Sequence, residues 1–199
     1  MSPQDAAIDW HDLFGPPACH REIGRGDFLF LRGTPVEAVF ALERGRLRLE
    51  RTLESGSLVT LALLRAGEGV AEAALFSDTY HCDARAEVAS RVAVFPRQAA
   101  LEHLSREPAS MAALLRVQAS QIRRLRALLE VRSIRRADER LLAYLDLREA
   151  LGESSAPDRP ATAVARELGL TAEAFYRALT RLEAEGRIQR EKGGLRRRP

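Results

Sequence analysis

Glu173 and Arg177 stand four residues apart in a stretch free of Gly and Pro, so on a helix they share one face about one turn apart. In a DNA major groove such an arginine bonds bidentately to guanine O6 and N7, and the glutamate accepts from cytosine N4. Tyr176, Thr180 and Arg181 fall on the same side, placed for phosphates or flanking base edges. Without further context Glu173 and Arg177 make only a surface ion pair worth about 0.3 kcal/mol. The adjacent pairs Cys19-His20 and His81-Cys82 carry ligand types that zinc, copper or haem iron accept. Neighbours on a strand point to opposite faces, so each pair can readily lend only one ligand. The plain alternative is a buried thiol acting as a small hydrophobe beside a surface histidine. No metal and no cofactor is assigned. No Ser-His-Asp or paired-carboxylate arrangement is readable, so no enzymatic activity is expected.

The segments around Glu173 decide between these readings. Ala161 to Leu168 is helical in pattern, and Gly169 follows where a left-handed residue ends a helix. Leu170 plugs the turn, Thr171 is an N-cap, and Glu173 in the first turn suits the helix dipole. Ala174, Phe175, Ala178, Leu179 and Leu182 recur at helical intervals and point inward. Ala172, Glu173, Tyr176, Arg177, Thr180 and Arg181 are left outside. A helix, a tight turn and a second helix with such an outer face make a DNA-reading helix-turn-helix. Gly186 then ends the helix, Ile188 starts a strand and Gly193-Gly194 turns a hairpin, a wing offering Lys192 and Arg196 to phosphates. Charge agrees: residues 156–199 hold ten Lys/Arg against six Asp/Glu, while the remainder of the chain has 21 against 22.

Upstream, short apolar runs punctuated by turns extend from Arg25 to Pro96. Phe28 to Leu31, Val39 to Leu42, Leu47 with Leu49, Leu58 to Leu64 and Val88 to Phe95 read as strands of an antiparallel barrel or jelly roll. From Ser110 to about Arg132 the period becomes helical. Met111, Gln118 and Leu125 interleave at seven-residue spacing with Leu115, Ile122 and Leu129, a heptad seam beside a second stripe of Leu114, Val117 and Leu128. A helix that merely covers the barrel needs one apolar face; two faces favour a parallel homodimer. A further helix, Ala137 to about Glu149, turns Leu141, Leu142 and Leu145 inward, and residues 152–160 form a loop. The expected division is residues 1–109 as a sensor, 110–132 as a dimerisation helix and 133–199 as the DNA-binding domain.

A chain of 199 residues, 46% hydrophobic and 30% charged, is long enough for a sizeable core and too apolar for wholesale disorder. It contains no membrane-length apolar run, Met1 to Trp10 lacks the pattern of a signal peptide, and two distant cysteines make no secreted disulfide framework. A cytoplasmic protein without membrane association is expected.

The order of parts resembles the Crp/Fnr superfamily of bacterial transcription regulators. The matching stretches are Phe28-Leu29-Phe30-Leu31-Arg32-Gly33, Val39-Phe40-Ala41-Leu42, Gly45-Arg46-Leu47-Arg48-Leu49, Gly67-Glu68 and Glu72-Ala73-Ala74-Leu75-Phe76. Towards the C-terminus they are Leu168 to Leu179 and Leu182 to Ile188. The resemblance implies an α+β chain: a double-stranded β-helix sensor, a long dimerisation helix and a winged helix-turn-helix. It also implies double-stranded DNA and RNA polymerase as partners. The family's base-reading helix usually carries Arg-Glu and a second Arg four residues after the Glu; here Ala172 replaces the first Arg, so the target is expected to differ at one base pair of each half-site. Cyclic-nucleotide binders hold the phosphate with Arg followed by Ser or Thr, whereas Ser77 to Asp83 has no Arg and carries Asp78 and Asp83. Ala71 stands where a Gly usually lets backbone approach the ligand. Two cysteines are too few for the four thiolates of an iron–sulfur cluster. The residues left for an effector pocket are Glu72, Tyr80, His81, Cys82 and Arg85, and a cyclic nucleotide is not the expected ligand. A metal- or redox-sensing regulator using Cys19, His20, His81 and Cys82, and a module whose winged helix contacts protein, are the competing readings; the exposed Arg177 and basic wing favour DNA.

Overall fold

The computed structural model describes residues 9–151, 161–191 and 194–198. These form two compact units that meet in sequence between Val117 and Gln118.

The first unit opens with helix α1 (Trp10–Phe14), capped by the Asp9 side chain, which accepts from the His11 amide. Eight strands follow: β1 (Cys19–Ile23), β2 (Phe28–Phe30), β3 (Ala38–Arg44), β4 (Arg46–Thr52), β5 (Leu58–Arg65), β6 (Gly69–Val70), β7 (Asp83–Ala86) and β8 (Ser90–Pro96). They make two four-stranded sheets, ordered β1-β8-β3-β6 and β2-β7-β4-β5, with every paired strand antiparallel. The result is an antiparallel β-sandwich within a mixed α and β chain. Strand β3 shows why alternation is weak in its sequence. Ala38, Phe40 and Leu42 face the interior between the sheets, while Val39 and Ala41 face a second core with Trp10, Leu13, Phe14, Phe95 and Leu104. A strand covered on both sides reads as a continuous apolar run.

Trp10 fixes α1 onto this unit. Its indole Nε1 donates to the Gly67 carbonyl at 2.8 Å, and its ring lies so close to Gly69 that an added Cβ would come within 2.3 Å. Pro96 leads into α2 (Arg97–Arg106), and Glu107, extended at φ −114°, separates it from α3 (Pro108–Ser133). Proline disfavours a helical residue before it but is accommodated at a first helical position. Helices α1 and α2 and strands β1, β6 and β7 are additions to the sequence expectation, and α3 starts two residues before Ser110.

The second unit holds α4 (Ala137–Ala150), α5 (Ala161–Glu167), α6 (Ala172–Ala184) and the antiparallel pair β9 (Ile188–Glu191) and β10 (Gly194–Arg197). Its core joins Leu141, Leu142, Tyr144 and Leu145 of α4 to Phe175, Leu179 and Leu182 of α6, Leu168 and Ile188. Tyr144 donates to Glu167 at 2.8 Å, and Arg140 donates to the Leu168 carbonyl at 3.0 Å, tying α4 to α5 and its end. Among the described residues no helix is long and apolar enough to cross a membrane.

Candidate nucleic-acid interface

Two backbone turns set the pose of α6. At the end of α5 the Leu170 amide donates to the Ala165 carbonyl and the Gly169 amide to that of Arg166, a Schellman turn. Gly169 sits at φ +64°, where a side chain costs about 1 kcal/mol, and an added Cβ would lie 3.1 Å from the Arg132 guanidinium. Thr171 then caps α6: its backbone is extended and its hydroxyl accepts from the Ala174 amide at 3.1 Å.

Helix α6 buries Phe175, Ala178, Leu179 and Leu182, with Ala174 half-buried, and exposes Ala172, Glu173, Tyr176, Arg177, Thr180 and Arg181. Arg177 and Glu173 approach to 3.6 Å with side chains 75% and 79% exposed. That is a loose pair, which solvent screens. Tyr176 lies T-shaped against the Phe175 ring, centroids 5.8 Å apart. Arg181 is engaged differently: it donates to Glu185 at 2.8 Å and lies 3.4 Å from Asp138.

Asp138 and Arg136 are the members that sequence periodicity missed. Arg136 donates to both Asp138 carboxylate oxygens, at 3.2 and 2.8 Å. That bond, chiefly, holds the Asp138 carboxyl down to about 2, against partial burial, which works to raise it. Hydrogen bonding to Asp138 raises the Arg136 pKa, and bonding to Glu185 raises that of Arg181. Arg136, Ala137 and Asp138 of the α4 start and Ala174, Arg177, Ala178 and Arg181 of α6 line a recess of about 250 Å³. Three guanidiniums line this recess with the Asp138 carboxylate, and Glu139, Glu173 and Glu185 pair with Arg136, Arg177 and Arg181 in turn. The sequence signal was the Arg135-Arg136 pair immediately before a helix start, but nothing in its spacing placed it against α6.

Beyond α6, Ile188 is buried, Arg197 pairs with Asp146 of α4, and Arg198 donates to Gln189 at 3.0 and 3.1 Å. Arg196 is exposed on β10. Lys192 lies outside the described residues.

Along α3, Leu115, Ile122, Leu125 and Leu129 are exposed, while Leu114 is buried and Val117 packs with it in the first unit's core. Gln118 is half-buried. Met111 departs from the seam: it packs against the same core as Leu104 and Leu114, because the first turn of α3 is covered by its own unit.

The five candidate effector residues differ in burial and in their partners. Tyr80 and Cys82 are buried in the core between the sheets. The Tyr80 ring stacks on Phe30 at 3.9 Å, and its hydroxyl donates to the Ala38 carbonyl at 2.7 Å. Burial raises the pKa of both the Tyr80 phenol and the Cys82 thiol. His81 is exposed, and its carbonyl accepts from Arg51. Arg85 alternates with buried Ala84 and Ala86, donates to the Gly26 carbonyl at 2.8 Å and stands 5.3 Å over the Phe28 ring. Glu72 opens a single 3-10 turn, Glu72–Ala74, whose preceding residue Ala71 adopts a left-handed backbone at φ +68°. Cys19 is exposed on β1 and His20 faces Glu43 at 3.1 Å. Among the described residues no three His, Cys, Asp or Glu side chains come together as a metal site, so Cys19-His20 and His81-Cys82 do not combine into one.

Residues 20–107 match the cyclic nucleotide-binding domain family. The transcriptional activator protein Anr of Pseudomonas aeruginosa is 28% identical over 179 residues, 86% of this chain and 73% of Anr. The chain is thus similar to Crp/Fnr regulators, with the domain match confined to residues 20–107. Its fold is shared with FixK2 of Bradyrhizobium japonicum, at a TM-score of 0.72 and 19% identity over 91% of this chain and 92% of that one. A CRP-family transcriptional regulator of Thermus thermophilus superposes with a TM-score of 0.61 at 24% identity, covering 89% of this chain and 91% of its own. The domain match covers the sandwich, and α6 lies beyond it.

Proposed function

We propose that the chain is a sequence-specific transcription regulator that binds double-stranded DNA as a homodimer, in the cytoplasm, through a winged helix-turn-helix spanning residues 133–199. The observation that carries this is the α5–turn–α6 geometry, in which Gly169 and Thr171 fix a helix whose outer face presents Glu173 and Arg177 unburied. In this reading α6 enters the major groove, β9 and β10 form the wing, and Arg136 and Arg181 add phosphate contacts. Lys192 and Arg196 would extend those contacts from the wing. The exposed leucines of α3, within 110–132, supply a two-fold seam, so the target is an inverted repeat with half-sites about one helical turn apart. RNA polymerase enters as a partner through the Crp/Fnr relationship.

The sensor, residues 1–109, is read as one that does not bind cyclic nucleotide. The inward side chains of β4 and β7 are Leu47, Leu49, Ala84 and Ala86, and the space between the sheets is occupied by Phe30, Phe40 and Tyr80. Asp83 is taken up by the Arg32 amide at 2.7 Å, and Arg85 by the Gly26 carbonyl. Among the described residues of β4 and β7, a cyclic phosphate would meet Leu47, Leu49, Ala84 and Ala86 on the inward face. Selection of bound sequences from a random duplex pool tests the assignment. An enriched inverted repeat is expected, unaltered by added cyclic nucleotide; an unenriched pool would sink the DNA reading, and enrichment that requires cyclic nucleotide would sink the sensor reading.

A further inference from the structure

The outer face of α6 carries two parallel rows at four-residue spacing. One is charged, Glu173, Arg177 and Arg181; the other is Ala172, Tyr176 and Thr180, and all six side chains are exposed. The second row begins with a methyl group and continues with a large ring. Helical side chains lean towards the N-terminus of their helix, so residue 176 covers the turn above residue 172, where Ala172 leaves space. Tyr176 is also held from behind, because its ring lies T-shaped against the fully buried ring of Phe175. Tyr176 as a residue is 45% exposed, whereas Arg181 in the charged row is drawn to Glu185 and Asp138. Beside the two polar reading groups the helix therefore offers a preformed apolar edge of a methyl and an aromatic ring.

The thymine 5-methyl is the apolar feature that a major groove displays, and Ala methyls and aromatic rings are the groups that meet it. We propose that Tyr176, standing over Ala172, is a specificity residue that selects thymine next to the base pair read by Glu173 and Arg177. The exchange of an arginine for Ala172 then changes the preferred base and does not simply relax it. This rests on α6 being the helix that enters the groove.

The test replaces each thymine of a pool-selected duplex by deoxyuridine, which removes only the methyl, and measures the dissociation constant for wild type, Tyr176→Phe, Tyr176→Ala and Arg177→Ala. Wild type and Tyr176→Phe should bind about fourfold more weakly at one particular thymine per half-site when its methyl is lost, the worth of one buried methyl group. Tyr176→Ala should bind the two duplexes alike, and Arg177→Ala should lose guanine preference while keeping the sensitivity to the methyl. No sensitive thymine in wild type, or sensitivity that survives Tyr176→Ala, would overturn the proposal. Tyr176→Phe weakening all duplexes equally would also overturn it, by assigning the residue to a phosphate through its hydroxyl. Failure of the underlying reading is distinguishable: there the wild-type protein enriches no sequence at all.

Discussion

Replacing Asp138 by Asn removes the carboxylate that Arg136 and Arg181 share while keeping the size of the side chain. The carboxyl sits at about 2 against an ordinary 3.8, first because of its bond from Arg136. That gap corresponds to at most about 2.4 kcal/mol of stability. The Arg136 and Arg181 side chains are 55% and 58% exposed, and solvent screening brings the expected loss to about 1 kcal/mol. For a unit of this size that is about 4–8 °C in the melting temperature of the C-terminal transition. Because folding lowers this pKa, the contribution is fully present above about 3.8 and disappears as the pH falls through about 2. Thermal unfolding of wild type and Asp138→Asn between pH 7 and pH 3 should therefore show a gap that is constant to about pH 5 and has fallen to about half at pH 3. Equal stability at pH 7, or a gap that widens on acidification, would refute the argument.

Thr171→Ala should cost the C-terminal unit about 1 kcal/mol and Thr171→Ser much less, since only a hydroxyl is needed to accept from the Ala174 amide; urea unfolding followed by helical circular dichroism checks this. Tyr80→Phe should destabilise the sandwich by about 1–2 kcal/mol, because the hydroxyl both donates to the Ala38 carbonyl and accepts from its amide; the N-terminal transition reads it, and an unchanged midpoint would contradict it. Ile122→Lys with Leu129→Lys places charges on exposed positions, so the fold should persist while sedimentation shifts from dimer to monomer; an unchanged dimer would remove the seam on α3.

The second unit was the more legible part of the chain in sequence. Gly169, Thr171 and Gly186 fix backbone geometry through their own chemistry, and helical spacing in α6 separates buried from exposed residues because only one side of it is covered. The sandwich was legible in outline only. Strand β7 carries its inward signal on Ala84 and Ala86, which are too small to stand out. Strand β1 exposes four of its five residues and so shows no alternation. Helix α1 is declared by a tertiary match, Trp10 over Gly69, that no local pattern contains. The recess at Arg136 and Asp138 was illegible for a related reason: two segments more than thirty residues apart meet there. The heptad seam placed Met111 with Leu115, yet the packing of the first unit draws Met111 into its own core.

The central claim is that Arg177 reads DNA sequence, and the ratio of affinities for a selected duplex and a scrambled one tests it most directly. At fixed salt the wild-type protein should prefer the selected duplex by about 10³ or more. Arg177→Ala should lose at least about tenfold of that ratio per half-site while keeping its binding to scrambled DNA within a few-fold. An unchanged ratio in Arg177→Ala, with both proteins folded and dimeric, would contradict the account.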